Sequence, residues 1–290
     1  MESQSVFNFK QNFNLRPSET DEAFKLHHSI FLVLVYLAYT LIISTIVALV
    51  FEGIFSIVKV DPSISTAVTQ TVTTVISLGL TIPFVYKALY KDAQKSSKRF
   101  LLVLLMSIGF FVLYYAIIIL YTNFIETNII KGLVKINIIS QETYALKTDS
   151  LNQQAIEQMF SNNISTAIAV PAIAVFGPIF EEIIFRKAFF RLFNFQKKSL
   201  NIILTSVLFG LIHVSSSIML ILSQIIMAKF TGNGNIGFDA VLLECIYFFN
   251  YFLAGAILGT VYSITGNNIV PSIIIHILNN SLVSILLILS

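Results

Sequence analysis

Charged residues are scarce in this chain of 290 residues, because Asp, Glu, Lys and Arg together make up only 11% of it. Soluble globular domains carry about 25% of these residues, so the sequence excludes a soluble domain. Hydrophobic residues make up 56%, and the mean hydropathy is +0.83. The basic residues sit in short loops, so the net charge of +3 does not indicate a nucleic-acid surface. We therefore expect an integral membrane protein in contact with lipid, with no nucleic-acid partner.

Cysteine is almost absent as well. The single cysteine, Cys245, excludes an internal disulfide, and nothing near it indicates a thiol nucleophile. A removable signal peptide is not expected either, since the first 27 residues are mostly polar and lack a short apolar core followed by a cleavage site.

Long apolar runs recur along the chain, and a run of about 20 residues is enough for one spanning helix. The sequence predicts an all-α fold, a polytopic integral membrane helix bundle with seven or eight transmembrane helices. The eighth helix would arise if the fifth run breaks near Ser215-Ser216-Ser217. The predicted spans are 28–51, 66–87, 100–122, 164–190, 200–228, 240–264 and 268–289.

Lysine and arginine follow the second and fourth predicted spans, which places those loops in the cytoplasm. The N-terminal segment fits the same side, so we expect a multi-pass protein of the cell membrane with a cytoplasmic N-terminus. The segment 123–163 should form an external loop with a short helix from Asn152 to Phe160, and the turn Gly232–Asn235 should also lie outside. The basic residues behind this orientation are Lys10, Arg16, Lys25, Lys87, Lys91, Lys95, Lys98, Arg99, Arg191, Lys197 and Lys198.

Two adjacent glutamates, Glu181 and Glu182, interrupt the apolar fourth span. An ionised carboxylate at the bilayer centre costs about 2.5–3.5 kcal/mol on insertion scales and usually marks function. Glu182 and Arg186 are four residues apart and can pair along one helix face, although Arg186 could instead extend to the cytoplasmic interface. Glu181 points about 100° away around the helix, which leaves it available for another task.

Two histidines, His213 and His276, lie in the fifth and seventh predicted spans. At a rise of about 1.5 Å per residue, both fall in the same layer of the bilayer as Glu181. Phe209 precedes His213 by four residues and Asn280 follows His276 by four, so each pair faces one direction. A lone intramembrane histidine often only bonds a neighbouring helix, but two histidines and a carboxylate in one layer indicate a hydrolytic site.

Peptide hydrolysis requires a base for water, a donor for the oxyanion and an acid for the leaving amine. Glu181 is the predicted base, and His213 could share the water or protonate the amine. His276 and Asn280 can present donors to the oxyanion. In a competing hypothesis Glu181, His213 and His276 hold a zinc ion with one open position, although the H-E-x-x-H motif of soluble zinc proteases is absent.

Other polar and small residues in the spans have structural interpretations. Glu244 is expected near the outer end of the sixth span in contact with water, and Asn250 is expected to hydrogen-bond between helices. Gly255 and Gly259 form a G-x-x-x-G pattern, which favours close helix packing within the chain or between protomers.

Three short motifs occur in order along the second half of the chain. They are E-E-x-x-x-R at Glu181–Arg186, F-x-x-x-H at Phe209–His213 and H-x-x-x-N at His276–Asn280. In this the sequence resembles the CPBP family of CAAX proteases and bacteriocin-processing enzymes, also called the Abi or CAAX prenyl endopeptidase family.

The resemblance implies an intramembrane endopeptidase with about eight helices. It implies that Glu181 and His213 activate the water, that His276 and Asn280 stabilise the oxyanion, and that Glu182 and Arg186 support them. The predicted organisation is a polar cytoplasmic segment over 1–27, N-terminal transmembrane helices with the external loop over 28–163, and a catalytic CPBP/Abi-like core over 164–290.

The predicted function is cleavage of a membrane-bound or amphipathic peptide. A composition rich in Ile, Asn and Lys is typical of low-GC bacteria, which generally lack prenylated substrates, so a CAAX tail is not the expected substrate. The alternative is a non-catalytic scaffold or bacteriocin self-immunity protein of the same fold, with a membrane partner such as a sensor kinase. A transporter that uses Glu181 and Glu182 as a proton relay is a third hypothesis, although no internal repeat supports it.

Overall fold

A computed structural model describes residues 24–146, 150–231 and 237–289, and this part of the chain is helical without strands. Most of the predicted N-terminal segment and the predicted turn Gly232–Asn235 lie outside the described residues. The helices are α1 Leu26–Val58, α2 Pro62–Ser97, α3 Phe100–Lys135, α4 Gln141–Leu146, α5 Leu151–Met159, α6 Asn163–Phe193, α7 Lys198–Thr231, α8 Phe238–Ile264 and α9 Ile269–Leu289.

Seven of these helices, all except the short α4 and α5, are long and apolar enough to cross a membrane. The predicted all-α, multi-pass membrane fold is therefore confirmed. Helix α7 runs unbroken through Ser215–Ser217, so the fifth span does not split into two. The Ser215 hydroxyl donates to the carbonyl of Ile212 within its own helix, at 3.0 Å. Bonded in this way, the serine satisfies its polar group without ending the helix.

The connection between the third and fourth spans is shorter than the sequence predicts. Helix α3 continues to Lys135, so the expected loop start at residue 123 is too early. The last turns of α3 stay helical because Ile130 and Val134 pack against Leu243 and Tyr247 of α8. The described residues of the remaining connection, 136–146 and 150–162, form one end of the bundle and are called the cap face below. The cap face contains α4 and the predicted short helix, which is α5.

Helix α6 lies at the centre of the bundle. In its most apolar stretch of 18 residues, 50% of the residues are buried inside the protein, against 17% for α3. Helix α3 therefore presents its apolar side chains to lipid, while α6 presents them to other helices. Phe180, Ile184 and Phe185 of α6 are fully or almost fully buried and belong to one core cluster with Tyr36 of α1 and Phe209 of α7. The glutamate pair thus stands on the most enclosed helix.

Side-chain caps fix where α2 and α6 begin, both at the cap face. Asp61 accepts the N–H of Ser63 at 2.8 Å and its hydroxyl at 2.6 Å, and these bonds lower the pKa of Asp61. Asn162 accepts the N–H of Ile164 at 2.9 Å, and its amide donates to the Ser63 hydroxyl at 2.7 Å. The two caps are therefore joined, which sets the level of α6 relative to α2.

Helices α7 and α8 pack closely because glycine replaces a side chain at their contact. A Cβ atom at Gly255 would lie 3.1 Å from Cα of Ser206 and 3.1 Å from Cβ of Phe209. The first of these neighbours is backbone and cannot rotate away. Gly255 of the G-x-x-x-G pattern therefore acts within the chain, and its contact is with the helix turn that carries Phe209.

Replacing Gly255 by Leu should destabilise the protein by about 1–3 kcal/mol, the usual cost of overpacking. The measurement is thermal unfolding in detergent. Gly109→Leu is the matched control, since no atom would lie within 4 Å of a Cβ at that exposed helical position. Equal melting temperatures of the two variants would contradict the close contact.

Candidate active site

The two glutamates stand between two π-helical segments of α6, Ala172–Phe176 and Ile183–Phe189. Wide turns of this kind are rare and frequently occur at functional sites. The first one leaves little room for a side chain at Gly177, whose added Cβ would lie 3.0 Å from the carbonyl oxygen of Ala172. Pro171 and Pro178 flank the first segment and cannot donate the backbone hydrogen bonds of a regular α-helix, whereas no sequence signal marks the second segment.

Glu182 has no solvent exposure and binds two partners with its two oxygens. Its Oε2 accepts from Nε of Arg186 at 3.0 Å, and its Oε1 lies 3.2 Å from Nδ1 of His276. The ion pair predicted from the spacing is present, and Arg186 is fully buried instead of extending to the interface. Because an ionised carboxylate only accepts hydrogen bonds, Nδ1 of His276 carries the proton in this arrangement.

His213 is oriented by its own helix. Its Nδ1 lies 2.7 Å from the carbonyl oxygen of Phe209, and a carbonyl oxygen can only accept, so Nδ1 donates. In the neutral imidazoles of His213 and His276, Nε2 is therefore the atom with a lone pair. The hydrogen-bond partners thus assign the same tautomer to both rings.

Glu181 faces both of these lone-pair atoms. Its Oε2 lies 3.7 Å from Nε2 of His213 and 3.7 Å from Nε2 of His276. These distances are too long for direct hydrogen bonds, and this oxygen is buried without a hydrogen-bond partner, while 26% of the Glu181 side chain remains exposed. The structure thus brings the three predicted residues together around one point, at distances that a bridging water molecule could connect.

Aromatic rings hold the two histidines. The ring of Phe209 lies 4.4 Å from that of His213 and 6.0 Å from that of His276. On its other side His213 stacks on Tyr251 of α8, with 4.5 Å between ring centres and 21° between ring planes. Phe209 therefore supports the cluster as its spacing predicts. Tyr251 is a site neighbour that the motifs do not include.

Asn280 is close to the site but is partly engaged elsewhere. Its amide nitrogen donates to the carbonyl of Ile173 at 3.0 Å, and its oxygen accepts from Asn279 at 3.1 Å. Ile173 lies in the first π segment, whose irregular ladder leaves carbonyl groups in need of donors. Asn280 thus ties α9 to the π segment beside Glu181, and one of its two N–H groups is occupied in doing so.

The three predicted metal ligands lie slightly farther apart in this arrangement than the ligand atoms of a bound zinc ion. Ligand atoms of a tetrahedral zinc ion, each about 2.1 Å from the metal, would lie roughly 3.4 Å apart, closer than the 3.7 Å between Glu181 and each histidine. Across the described residues, no group of three His, Cys, Asp or Glu side chains is placed to hold a metal ion.

A second buried ion pair lies on the side of α6 towards the loop between α8 and α9. Lys187 donates to Asp92 of α2 at 2.5 Å and to the carbonyl of Asn267 at 3.1 Å. Asp92 also accepts the N–H of Ile269 at 3.2 Å, at the start of the helix that carries His276. Sequence spacing does not reveal this pair, because Asp92 falls just beyond the predicted end of the second span.

Glu244 also differs from its prediction. It is fully buried and accepts the first N–H of α5, that of Leu151, at 2.9 Å. A carboxylate is favoured at a helix N-terminus because the unpaired N–H groups there are partly positive. Glu244 therefore anchors the cap-face helix instead of contacting water.

Seven helices that are long and apolar enough to span a membrane enclose a carboxylate, two histidines and a buried ion pair, so the fold is that of a multi-pass membrane protein with a polar cluster in its core. Residues 163–282, about two fifths of the chain, match the family described as type II CAAX prenyl endopeptidase Rce1-like. This part of the chain, which contains all three motifs, is therefore similar to the CAAX protease family. No curated protein and no solved structure matches the chain.

Proposed function

We propose that this protein is an intramembrane endopeptidase that hydrolyses a membrane-associated peptide with a water molecule activated by Glu181. The observation that carries the proposal is the convergence of Glu181 Oε2 with Nε2 of both His213 and His276, each at 3.7 Å. A water in that space would find a base and two further acceptors, all inside a helix bundle where bulk water is scarce.

In the proposed reaction, Glu181 removes a proton from this water, and the resulting hydroxide attacks the carbonyl carbon of the peptide. Glu181 then returns the same proton to the leaving amine as the carbon–nitrogen bond breaks, so the reaction consumes one water and needs no other reactant. His213 holds the water through Nε2. Both histidines keep their orientation because their Nδ1 atoms are bonded to Phe209 and Glu182.

His276 becomes a donor to the oxyanion when its Nε2 is protonated. The charged ring is stabilised by Glu182 on its Nδ1 side, in the way that a buried carboxylate stabilises the imidazolium in a catalytic triad. Arg186 keeps Glu182 ionised for this purpose. Asn280 supports the same region through Ile173 and can present its second N–H to the substrate.

The rest of the proposal concerns setting and substrate. We place the protein in the cell membrane with a cytoplasmic N-terminus, following the lysine and arginine distribution, and assign it an amphipathic or membrane-bound peptide as substrate. A non-catalytic scaffold, for example a self-immunity protein or a partner of a sensor kinase, would not require the Glu181 cluster.

The test uses purified protein in lipid nanodiscs and a library of amphipathic and membrane-spanning peptides. Incubation in water enriched in ¹⁸O should produce new peptide C-termini that carry the heavy isotope, detected by mass spectrometry. The His213→Ala variant should produce far fewer of them. A library that stays intact with wild-type protein, although the same preparation is folded and monodisperse, would favour the scaffold.

Metal removal is expected to leave this cleavage unchanged. Prolonged dialysis against EDTA or 1,10-phenanthroline should lower the rate less than about twofold, because the proposed base is a carboxylate and no step passes through a metal. The rate is compared before and after dialysis, and again after zinc is returned. A rate that collapses on dialysis and recovers with zinc would instead support the metal hypothesis for Glu181, His213 and His276.

A further inference from the structure

A cavity of about 440 Å³ lies in the half of the bundle towards the cap face. Its walls come from α3, α4, α5 with Ser150 before it, α8 and α9, and the size is typical of ligand pockets. Tyr251 is part of the wall, and its ring stacks on His213 at 4.5 Å. Asn279, the neighbour of Asn280, also lines the cavity. A ligand bound there would therefore contact a tyrosine ring that itself packs on His213 of the Glu181 cluster.

One wall of the cavity contains a carboxylate. Among the described residues that line it, Glu126 is the one charged side chain. It is only 6% exposed, and the amide of Asn250 donates to it. Asn250 in turn accepts from the Thr122 hydroxyl at 3.2 Å. These bonds fix the carboxylate in place within a membrane-spanning helix, where an ionisable group is costly to keep and usually serves a function.

The other conspicuous feature of the cavity is tyrosine. Five tyrosines contribute to its lining, namely Tyr114, Tyr115, Tyr144, Tyr247 and Tyr251. The face of an aromatic ring attracts cations, and pockets that combine several such rings recognise ammonium groups. A carboxylate together with tyrosine rings therefore favours a positively charged occupant over a neutral or acidic one.

We propose that this cavity binds a cationic group of the substrate peptide, a lysine or arginine side chain or an N-terminal amine. Bound next to Glu126, the charge places a neighbouring peptide bond at the Glu181 cluster, on the other side of Tyr251. The inference rests on the proposed function for its biological meaning, since it makes the cavity a specificity site of the protease. It also assigns the approach of the substrate to the cap-face half of the bundle.

The test measures binding and not cleavage, so it does not depend on the protease proposal. The Glu181→Gln protein is placed in nanodiscs of zwitterionic lipid, which removes attraction of cations to the membrane itself. The probes are dye-labelled apolar decapeptides in which one position carries lysine, norleucine or glutamate, with that position moved along the peptide. Fluorescence anisotropy gives each affinity.

The best lysine peptide should bind about tenfold more tightly than its norleucine counterpart, a preference of about 1.4 kcal/mol, and the glutamate peptide should bind most weakly. Adding Glu126→Gln should abolish the preference for lysine while the affinity for norleucine stays the same, which also shows that the variant is folded. Tyr144→Leu should reduce the preference by a smaller factor. The control Glu142→Gln removes an exposed charge in α4 and should change nothing.

Equal affinities for lysine and norleucine, or a lysine preference that persists in Glu126→Gln, would overturn the proposal. Selective binding of lysine peptides by a protein whose Glu181-intact form cleaves none of them would leave the cavity assignment standing and contradict the protease. The failures of the two proposals are thus distinguishable.

Discussion

Replacing Glu181 by Gln should lower the rate of peptide cleavage by about 10³-fold, within the range typical of a lost general base. The amide has nearly the same shape as the carboxylate but cannot take the proton from water. Since 26% of the Glu181 side chain is exposed and its carboxylate faces two histidines at 3.7 Å, the substitution should leave the fold intact. The measurement is the single-turnover rate on a cleaved library peptide in nanodiscs.

Glu142→Gln is the control for this prediction, because it removes one carboxylate from an exposed position outside the spans. It should cleave at the wild-type rate. Glu181→Gln and Glu142→Gln should also have the same elution volume in size-exclusion chromatography and the same melting temperature. If Glu181→Gln cleaves at more than about a tenth of the wild-type rate, a loss below the range typical of a general base, Glu181 is not the base, and another group near the histidines must activate the water.

Replacing Arg186 by Met should destabilise the protein by about 3–5 kcal/mol, the usual effect of removing one partner of a buried ion pair. Both side chains of the pair are fully buried, so the remaining Glu182 carboxylate would lose its cationic partner and keep its hydrogen bonds with His276 and Ser272. Thermal unfolding in detergent and the yield of monodisperse protein measure the effect. Arg99→Met, at an exposed position before α3, should behave as wild type.

A double variant separates the ion pair from simple loss of packing. Glu182→Gln combined with Arg186→Met removes both charges, so it should be more stable than Arg186→Met alone. Its cleavage should stay low, because the neutral amide introduced in place of the Glu182 carboxylate would no longer stabilise a protonated His276. A double variant no more stable than the single one would show that the charges do not account for the loss.

The sequence predicts the spans and the principal residues of the cluster because both depend on spacing along helices. Runs of apolar residues identify the seven spanning helices, and the four-residue spacing of Glu182 and Arg186 identifies their ion pair. Placing Glu181, His213 and His276 in one layer needs only the rise per residue. Their actual approach to 3.7 Å depends on how three helices pack, which spacing cannot give.

Other features depend on contacts between distant segments and have no local pattern. The second π segment, Ile183–Phe189, has no residue pattern that distinguishes it from an ordinary α-helix, whereas Pro171 and Pro178 flank the first one. Asp92 meets Lys187 only through folding, across 95 positions of sequence. The predicted loop 123–163 includes Glu126, whereas in the structure Glu126 lies in α3. Hydropathy does not show this, because the additional turns of α3 are stabilised by contacts with residues of α8.

The most direct test of the central claim is a comparison of peptides from cells of the native host that express either wild-type protein or the Glu181→Gln variant at equal membrane levels. Mass spectrometry of membrane and secreted fractions should reveal at least one peptide whose processing disappears in the variant, and wild-type protein should restore it. Identical peptides in the two strains, with the variant also rescuing the deletion phenotype, would contradict proteolysis and support the scaffold.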